Sequence, residues 1–511
     1  MRALISVYDK ADLAPFARGL HELGFELVAS GGTAEFLQTE GLAVTSVESV
    51  TEFPELLGGR VKTLHPLVHG GILARLGSES DAAELEREGV EPIDLVCVNL
   101  YPFERAAASR DATEADVIEL IDVGGPALLR AAAKNHARVI AVTRPQDYDD
   151  VLDELRAHAG ECSLETRRHL AGIAFATTAA YEAAIARWFG EDEQFPQTLI
   201  PVFEKVRDLA YGENPHQAAA LYAERGGRSH LLSMVEQLHG RELSFNNLND
   251  LDAARMLVRE FTLPACVIVK HANPCGVAVG ATIEEAYERS LAADPLSAYG
   301  GVVVLNRSVT AGLGARLTDQ FVEVLFAPGF DESALSALVA KPAMRILNDL
   351  ERRHAVAAEP DFKRVLGGLL VQERDADVAD REGMSVVAGK PSEALWGDLL
   401  FAWRVCKHVA SNAIVIVRDL QTVGIGAGQM SRVDAVRIAV EKAREHGHVL
   451  EGAALASDAF FPFPDGPRLA LDAGVAALIQ PGGSKRDADV IDAVESAGAT
   501  MILTGRRHFR H

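Results

Sequence analysis

Residues 3–33 read ALISVYDKADLAPFARGLHELGFELVASGGT and carry the pattern that decides the fold of the first part of the chain. Residues 3–7 form an apolar run typical of a buried strand, residues 12–23 have helical spacing, and residues 26–29 form a second apolar run. Strands separated by helices are typical of a parallel sheet covered by helices on both faces. We therefore predict an α/β fold with a parallel sheet.

The same alternation continues along the first part of the chain. The predicted strands are residues 93–99 and 139–142, and the predicted helices are residues 114–121, 127–133 and 163–188. A polar stretch, GEDEQFPQ, begins at Gly190 and has the composition of a linker. We therefore predict a first domain over residues 1–196 and a second region over residues 202–511.

The second region also has an α/β pattern, with predicted strands at residues 265–269, 301–305, 413–417, 453–457 and 475–479. The segments VIVKHANPCGVAV, from Val267, and RVCKHVASNAIVI, from Arg404, each place Lys-His shortly before Asn and a second apolar strand. Either a duplicated lobe or chance explains this similarity. Residues 331–389 are polar and are predicted to form an irregular surface connection between two such lobes.

Composition limits the class of protein and its location. The chain has 511 residues, of which 48% are hydrophobic and 24% charged, and no segment approaches the roughly 18 uninterrupted apolar residues of a membrane helix. The apolar run at the start is soon followed by Asp9 and Lys10, which makes it too short for a secretory signal. We therefore expect a cytoplasmic protein that does not contact a membrane.

The cysteines and the net charge exclude further classes. The five cysteines are scattered and never form a C-x-x-C pair, so neither a disulfide framework nor a cysteine zinc site is expected. The formal charge of −23 argues against a general nucleic-acid binder, which holds phosphates with clustered Lys and Arg. Sites for anionic substrates must then be locally basic or lined by backbone amides.

Two Gly-containing segments are candidates for such a site. Ser30-Gly31-Gly32-Thr33 lies between a predicted strand and a predicted helix, where backbone N–H groups at a helix N-terminus favour a phosphate. Glycines at such junctions also occur for purely steric reasons. The segment GGRVKTLHP, from Gly58, supplies Arg60, Lys62 and Thr63, which can pair with a phosphate, although a solvated basic loop has the same composition.

His65 and His69 have the i, i+4 spacing of some zinc ligands. The segment contains Pro66 and lacks both the glutamate of H-E-x-x-H and an evident third ligand, so structural or substrate-contacting histidines are the preferred interpretation. No metal site is predicted.

Three more segments complete a set in the first domain: NLYPF from Asn99, IDVGG from Ile121 and RAAAKNHARV from Arg130. The carboxyl ends of parallel strands are where α/β sheets bind ligands. In this order, SGGT, GGRVKTLHP, NLYPF, IDVGG and RAAAKNHARV resemble the IMP cyclohydrolase domain of the bifunctional AICAR formyltransferase/IMP cyclohydrolase family. The resemblance implies a methylglyoxal-synthase-like fold.

The resemblance also implies roles for individual residues. Lys134 is implied to be the principal catalytic residue of ring closure, with Lys62, Tyr101 and Asp122 around it. The nucleotide is implied to be held by Ser6, Lys10, Ser30, Gly31, Gly32, Thr33, Arg60, Thr63, Asn99 and Val123. Ring closure needs a base for the carboxamide N–H and donors for the developing oxyanion, which suit Asp122 and a Lys or Tyr respectively.

The second region has its own motifs: YGENPHQ from Tyr211, SFNNLND from Ser244, VKHANPCG from Val269, Ser411-Asn412, GIGAGQMSR from Gly424, SDAFFPFPD from Ser457 and QPGGSK from Gln480. This set is similar to the AICAR transformylase domain of the same family. The similarity implies two cytidine-deaminase-like lobes, roughly residues 202–365 and 366–511, without the deaminase zinc signature. It therefore favours duplication over chance as the explanation of the repeated Lys-His.

By this resemblance, Lys270 and His271 are the catalytic pair of formyl transfer and Asn412 orients the reacting group. His271 suits a general base because its ordinary pKa lies near the working pH, and Lys270 can stabilise the oxyanion. A Lys-His pair at a strand end is by itself more often structural than catalytic. The implied substrate contacts are Tyr211, Asn247, Gly300, Glu323, Arg432, Phe460 and Arg507, with Asp465, Ser484 and Lys485 at the folate.

The implied function is a two-step synthesis of IMP. The formyl group of 10-formyltetrahydrofolate passes to AICAR, giving FAICAR, which then closes to IMP with loss of water. The folate is a formyl-donor cosubstrate, and neither zinc nor a nucleotide cofactor is expected. The implied partners are small molecules and a second copy of the chain, in a homodimer whose transformylase sites lie at the subunit interface, with no nucleic acid or membrane.

Two positions depart from the family pattern. Ala210 stands where the family usually has Arg, which leaves an AICAR phosphate contact missing or supplied by another residue such as Arg207, and Tyr8 stands where Ser is more usual. Two alternatives therefore stay open. One is a nucleotide-binding protein that retains only cyclohydrolase activity, and the other is a regulatory protein that has lost turnover.

Overall fold

The computed structural model describes residues 1–75, 77–190, 193–225, 235–350 and 360–511. The chain folds into two compact units, Met1–Phe203 and Glu204–His511, apart from a short segment around Glu224 that groups with the first unit. No helix among the described residues is long and apolar enough to cross a membrane.

The described residues of the first unit form one parallel sheet with the strand order β3-β2-β1-β4-β5. The elements are β1 (Arg2–Ser6), α1 (Leu13–Glu22), β2 (Glu26–Ala29), α2 (Gly31–Thr39), β3 (Val44–Ser46), α3 (Val47–Thr51), α4 (Pro66–Leu73), α5 (Glu79–Arg87), β4 (Leu95–Val98), α6 (Phe103–Ala107), α7 (Glu114–Glu119), α8 (Gly124–Lys134), β5 (Ile140–Val142), α9 (Tyr148–Ala157) and α10 (Leu164–Phe189).

Strand β1 shows why helices cover both faces of this sheet. Ala3 and Ile5 pack in one buried cluster with Phe16 of α1, while Leu4, between them, packs in another with Leu129 of α8. Successive strand residues point to opposite faces, so a continuous apolar run needs cover on both sides. The predicted parallel α/β fold of the first part of the chain is confirmed.

The second unit is larger. Its elements are β6 (Phe203–Leu209), β7 (Ala219–Glu224), β8 (Glu236–His239), α11 (Phe245–Val258), β9 (Ala265–Lys270), β10 (Asn273–Val279), α12 (Ile283–Ala293), α13 (Pro295–Ala298), β11 (Gly301–Leu305), α14 (Ala311–Leu317), β12 (Val322–Ala327), α15 (Glu332–Leu338), β13 (Arg345–Asn348), β14 (Pro360–Val365), β15 (Gly368–Glu373), β16 (Ser385–Ala388), α16 (Glu393–Cys406), β17 (Ile414–Arg418), β18 (Gln421–Gly426), α17 (Arg432–Glu445), β19 (Ala454–Ser457), α18 (Asp465–Asp472), β20 (Ala477–Gln480), α19 (Asp487–Ser496) and β21 (Thr500–Leu503).

The main sheet of this unit has a duplicated arrangement. Its strand order among the described residues is β16-β21-β20-β19-β17-β18-β10-β9-β11-β12-β13-β8. Counted outward from the antiparallel contact between β10 and β18, each half repeats the same sequence of antiparallel and parallel neighbours. The second unit therefore contains two copies of one lobe topology.

The two Lys-His pairs do not occupy equivalent positions in these lobes. Lys270 ends β9 and His271 lies in the β9–β10 turn, whereas Lys407 and His408 follow helix α16 and precede β17. The counterpart of the β9–β10 turn is the β17–β18 turn, formed by Asp419 and Leu420. The prediction that duplication explains the repeated Lys-His was therefore wrong, because the two dipeptides occupy different positions in the lobe topology.

The prediction of an irregular connection over residues 331–389 was wrong for much of that segment. It contains helix α15 and strands β13 to β16, of which β13 and β16 belong to the main sheet. Polar residues are compatible with strands at or near a sheet edge and with the exposed β14–β15 hairpin. Residues 351–359 of this segment lie outside the described residues. The predicted lobe boundary at residues 365–366 falls at the β14–β15 turn.

Two candidate active sites

A cavity of about 630 Å³ lies in the first unit at the carboxyl ends of β1, β2 and β4, where helices α2 and α8 begin. These strands are parallel, so the loops that follow them meet at one edge of the sheet. The residues selected from the sequence that line this cavity are Ser6, Lys10, Ser30, Gly32, Thr33, Arg60, Lys62, Thr63, Asn99, Tyr101, Asp122 and Val123.

The Gly-rich turn forms the N-terminus of α2, and a lysine lies above it. Gly31 has φ +49°, and a Cβ atom there would lie 3.1 Å from Lys62 Nζ, so a side chain would crowd the ammonium group. Lys62 Nζ pairs with Glu55 at 2.9 Å, and the Arg60 guanidinium pairs with Glu119. The helix N-terminus and the two cations make this end of the cavity suitable for a phosphate, which competes with the carboxylates for the cations.

Two of the selected side chains are used to shape the loop after β1. The Thr33 hydroxyl donates to the Val7 carbonyl at 3.0 Å and accepts from the Val7 N–H at 3.2 Å. Asn99 Oδ1 accepts from the backbone N–H groups of Tyr8 and Asp9, and Asn99 Nδ2 donates to the Asp9 carbonyl. Both side chains therefore already have backbone partners, and their direct part in holding a nucleotide stays a prediction.

The departure at Tyr8 lies at the edge of the cavity. Its ring packs edge-to-face on Tyr101, with ring centroids 5.6 Å apart. Tyr101 is itself exposed and lines the cavity. A serine at position 8 has no ring to pack there, so the substitution changes the surroundings of a residue predicted to be catalytic.

Asp122 combines burial with a helix N-terminus. Its Oδ1 atom accepts the N–H of Gly125 at 2.8 Å, and its own N–H donates to the Tyr181 hydroxyl at 2.7 Å. Burial raises the pKa of Asp122, and the N–H groups of Gly125 and Gly124 oppose this rise. A carboxyl group with a raised pKa at the wall of a cavity is a candidate for proton transfer.

Lys134 lies away from this cavity. It is the last residue of α8, nine residues after Gly125, which places it roughly 14 Å along the helix axis from the cavity end at 1.5 Å per residue. The side chain is exposed, and among the described residues it has no hydrogen-bond or ion-pair partner. The structure of one chain does not bring Lys134 together with Lys62, Tyr101 and Asp122.

His65 precedes helix α4, and His69 lies within that helix. His65 is the N-cap of α4, where its Nδ1 atom accepts the N–H of Leu67 at 3.3 Å. Burial lowers the pKa of His69 and so favours its neutral form. Across the described ranges, no group of three or more His, Cys, Asp or Glu side chains is arranged to hold a metal ion.

In the second unit, Lys270 and His271 stand at the β9–β10 turn. Lys270 Nζ donates to the carbonyl of Gly300 at 2.8 Å and to that of Tyr299 at 3.3 Å. Gly300 has φ +66°, and a Cβ atom there would lie 3.0 Å from the ring of Phe321, so this position needs glycine. The carbonyl groups hold the ammonium beside the turn that carries His271.

Asn247 and Glu323 form a second polar pair of this lobe. Asn247 Nδ2 donates to Glu323 Oε1 at 2.9 Å, and the guanidinium of Arg345 lies 3.6 Å from the same oxygen. Glu323 is thus held between an amide and a cation. The two selected residues lie together, and Arg345 joins them.

Asn412 is held by partners on both sides of its amide. Its Nδ2 atom donates to the Gln429 carbonyl at 2.7 Å, and its Oδ1 atom accepts from the Arg432 guanidinium at 2.7 Å. Arg432 also pairs with Asp458, and the side chains of this pair are only 8% and 0% exposed. Arg432 therefore fixes the orientation of Asn412 through a buried ion pair.

Asn273 connects the two polar groups of the second unit. Its Nδ2 atom donates to the His271 carbonyl at 3.2 Å, and its Oδ1 atom accepts the N–H of Ala410 at 2.9 Å. Ala410 stands two residues before Asn412 in the chain. The β9–β10 turn and the Asn412 segment are therefore neighbours.

The other selected residues have separate surroundings. Phe460 is 39% exposed, whereas Phe461 is fully buried, so of these two neighbouring rings it is Phe461 that belongs to the core. Lys485 is exposed, and Arg507 lies over the ring of Phe509. Ser484 Oγ accepts the N–H of Arg486. Asp465 begins helix α18, and Tyr211 is half-buried.

Several residues beside these groups were not predicted from the sequence. Glu55 and Glu119 pair with the cations of the cavity, and only the fold brings them there. Asp250, Arg345 and Asp458 lie against selected residues of the second unit. Asp250 and Asp458 lie within the motifs SFNNLND and SDAFFPFPD, and this position is the feature of the sequence that indicates a role for them.

Comparisons with known proteins agree with this arrangement. Residues 132–442 match the family model described as AICARFT/IMPCHase bienzyme, and residues 12–127 match that of the MGS-like domain. The chain is 48% identical over 514 residues to the bifunctional purine biosynthesis protein PurH of Bacillus mycoides (strain KBAB4), across 100% of this chain and 99% of that protein. PurH of Bacillus cereus (strain AH820) shows the same identity and coverage.

A solved structure, described as the crystal structure of ForH, is 44% identical in sequence to this chain over the matched part. The match covers 37% of this chain and 99% of the ForH chain. The TM-score of this match is 0.34. The family models and the PurH proteins confirm the family predicted from the motifs, and they do not favour a protein with cyclohydrolase activity alone. The chain therefore belongs to the AICARFT/IMPCHase family, the bifunctional purine biosynthesis enzymes with AICAR formyltransferase and IMP cyclohydrolase activities.

Proposed function

We propose that residues 1–196 close FAICAR to IMP and that residues 202–511 transfer the formyl group of 10-formyltetrahydrofolate to AICAR. One observation carries the first assignment: residues from the SGGT, GGRVKTLHP, NLYPF and IDVGG motifs line a single cavity. The second assignment is supported by Lys270, His271 and Asn412, which are held in neighbouring segments of the other unit.

Ring closure forms a bond between the carboxamide nitrogen and the formyl carbon of FAICAR and releases water. Asp122, whose pKa burial raises, accepts the proton of the attacking amide. Tyr101 donates a hydrogen bond to the formyl oxygen as negative charge develops on it. That oxygen takes up two protons, one passed on by Asp122 and one from Lys62, and leaves as water. The formamide nitrogen gives its proton to Lys62 as the new C=N bond forms. The turn Ser30–Thr33 and Arg60 hold the phosphate.

Lys134 is assigned to ring closure by the family resemblance alone. Its position at the far end of α8 gives it no contact with Asp122 in the same chain. Replacing Lys134 with alanine decides the assignment: a loss of cyclisation with unchanged formyl transfer supports it, and undiminished cyclisation refutes it.

Formyl transfer forms a bond between the AICAR amine and the formyl carbon and breaks the bond from that carbon to the folate nitrogen. His271 accepts the proton of the attacking amine, and Lys270 stabilises the oxyanion of the tetrahedral intermediate. The departing folate nitrogen takes up a proton from Lys270 as the intermediate collapses, and the proton accepted by His271 replaces it. Asn412, fixed by Arg432 and Gln429, orients the carboxamide of AICAR.

We further propose a cytoplasmic homodimer whose transformylase sites draw on both subunits, with Tyr211, Phe460, Asp465, Ser484, Lys485 and Arg507 contacting AICAR or the folate. Exposed apolar side chains on the β14–β15 hairpin, Val365, Leu366, Leu369 and Leu370, support burial by a second copy. All five cysteines are free thiols, which suits a reducing compartment. The two cytidine-deaminase-like lobes are supported by the duplicated topology.

A two-armed assay tests the proposed function. The purified protein is given AICAR with 10-formyltetrahydrofolate in one arm and FAICAR alone in the other, and IMP is measured in both. IMP in both arms is the expected result. IMP in the FAICAR arm but not in the AICAR arm would support a protein limited to cyclisation. No IMP in either arm would contradict both activities.

A further inference from the structure

Asp250, on helix α11, makes two hydrogen bonds to the turn that carries the Lys270-His271 pair. Its Oδ2 atom accepts the backbone N–H of His271 at 3.2 Å, and its Oδ1 atom accepts that of Ala272 at 2.7 Å. Each carboxylate oxygen thus has its own donor, and the turn is fixed to the helix at both of its central residues. Asp250 is not among the residues that the sequence predicts for catalysis or binding.

The turn needs such a partner because of its backbone conformation. His271 and Ala272 have φ values of +53° and +59°, a left-handed conformation that residues with a Cβ atom rarely adopt. Two-residue hairpin turns of this kind usually contain Asn-Gly or Asp-Gly. A turn made of His-Ala is therefore held in place by surrounding contacts rather than by its own preference.

The second lobe contains the same arrangement, an aspartate bonded to a left-handed hairpin turn, but this turn has no Lys-His pair. Asp419 and Leu420, in the β17–β18 turn, have φ values of +53° and +58°. The carboxylate of Asp398, on helix α16, accepts their two N–H groups at 2.9 Å and 2.7 Å. Helix α16 holds the same place in its lobe as α11 does in the first.

Because both lobes have an aspartate bonded to this turn, the contact serves the fold in each lobe, and a part in the reaction is possible only in the first. The aspartate that holds the hairpin turn, here called the turn clamp, is present in both lobes. Only the turn held by Asp250 presents a histidine and follows a lysine, while the turn held by Asp398 follows Arg418 and begins with Asp419. The chain therefore supplies its own matched control.

Contacts on the other side of the turn show what the clamp orients. Lys270 Nζ is held by the carbonyl of Gly300, and the His271 carbonyl accepts from Asn273 Nδ2. With Asp250 on the two turn N–H groups, the backbone between the lysine and Asn273 has fixed contacts along its whole length. The direction in which the imidazole leaves the backbone then depends on the clamp.

We propose that Asp250 is a positioning residue for formyl transfer, which acts by holding His271 and Lys270 in their reactive orientation. This inference depends on the proposed function of the Lys270-His271 pair. A general base must lie within hydrogen-bond reach of the proton that it takes, and a displacement of about 1 Å can cost roughly 100-fold in rate.

The test compares D250N with D398N in the full chain. Asparagine keeps the size of the side chain but turns one acceptor into an NH₂ group, which faces a turn N–H without bonding to it. We expect D250N to lower kcat for formyl transfer by about 100-fold with little change in KM for AICAR. D398N is expected to shift thermal unfolding to a similar extent while leaving that kcat unchanged.

A second substitution tests whether the effect passes through the turn. Glycine adopts the left-handed conformation without strain, so A272G is expected to restore at least a tenth of the wild-type kcat when added to D250N. The double variant also keeps the test valid if D250N alone does not fold, since it is then compared with A272G alone. Cyclisation of FAICAR by each variant reports on the other unit.

The outcomes separate this inference from the proposed function. If H271A abolishes transfer but D250N and D398N behave alike, the positioning role is wrong and the catalytic pair stands. Failure of A272G to restore any activity to a folded D250N also overturns the inference. If H271A transfers the formyl group at the wild-type rate, the proposed function itself fails.

Discussion

The cavity of the first unit and the Lys270-His271 group of the second unit are built by different means. In the first unit, loops after parallel strands meet at one sheet edge, and the sheet direction alone brings the motifs together. In the second unit, the candidate residues stand on an antiparallel hairpin turn and on a segment held by a buried ion pair. The cavity of the first unit therefore depends on strand order, and the Lys270-His271 group depends on side chains that bond to the turn and to Asn412.

This difference determines which substitutions are expected to impair each site. The cavity contains cations that are paired with Glu55 and Glu119, so a negatively charged protein can still offer positive groups to a phosphate. The second site relies on Asp250 and on the Arg432–Asp458 pair to fix groups that are themselves not deeply buried. Substitutions should therefore affect the two activities separately.

The largest expected effect is that of H271A on formyl transfer. Loss of a general base is expected to lower the rate by about 10²–10⁴-fold, while cyclisation of supplied FAICAR stays at the wild-type rate. The two half-reactions are measured on the same preparation. Equal losses in both would break the distinction between the sites.

The next largest effect is that of D122N on ring closure. Asparagine keeps an oxygen for the Gly125 N–H but cannot accept the amide proton, so cyclisation is expected to fall by roughly 100-fold or more. Formyl transfer to AICAR is the control and is expected to be unchanged. Cyclisation at the wild-type rate would remove Asp122 from the mechanism.

Removal of Asp458 sharpens the comparison at the level of stability. D458A leaves the buried Arg432 guanidinium without its carboxylate, which is expected to destabilise the second unit by roughly 3–5 kcal/mol. The unfolding midpoint in denaturant measures this loss. The matched control is E393A, whose partner Arg381 lies at the surface and whose effect is expected to be far smaller.

The smallest expected effect is a displaced pH dependence. Burial raises the pKa of Asp122 above its ordinary value of 3.8. The protonated carboxyl group cannot accept a proton, so cyclisation is expected to fall as the pH drops through this raised pKa, at a higher pH than an exposed aspartate gives. The pH profile of kcat/KM for FAICAR measures the acidic limb, and a limb at the ordinary value would contradict the assignment.

Much of the fold and part of the first site could be predicted from the sequence. Apolar runs such as residues 3–7 and 139–142 predict buried strands because both sheet faces are covered, and the Ser30–Thr33 turn follows from strand-to-helix alternation. Motif order supplied the family. These features are local or depend on a simple rule of sheet direction.

The rest depends on long-range contacts that no local pattern contains. The repeated Lys-His pair suggested a duplication that exists, but at positions that the topology does not relate. Thr33 and Asn99 were selected as nucleotide contacts, although their polar atoms are engaged with the loop after β1. The place of Lys134 at the far end of α8 follows from helix length, which the motif alone did not indicate.

Ring closure in the cavity of the first unit is tested most directly by a crystal structure of the protein soaked with IMP. We predict density for IMP in that cavity, with its phosphate at the Ser30–Thr33 turn and its base beside Asp122 and Tyr101. IMP bound elsewhere, with this cavity empty in an enzyme that still converts FAICAR, would contradict ring closure at this site.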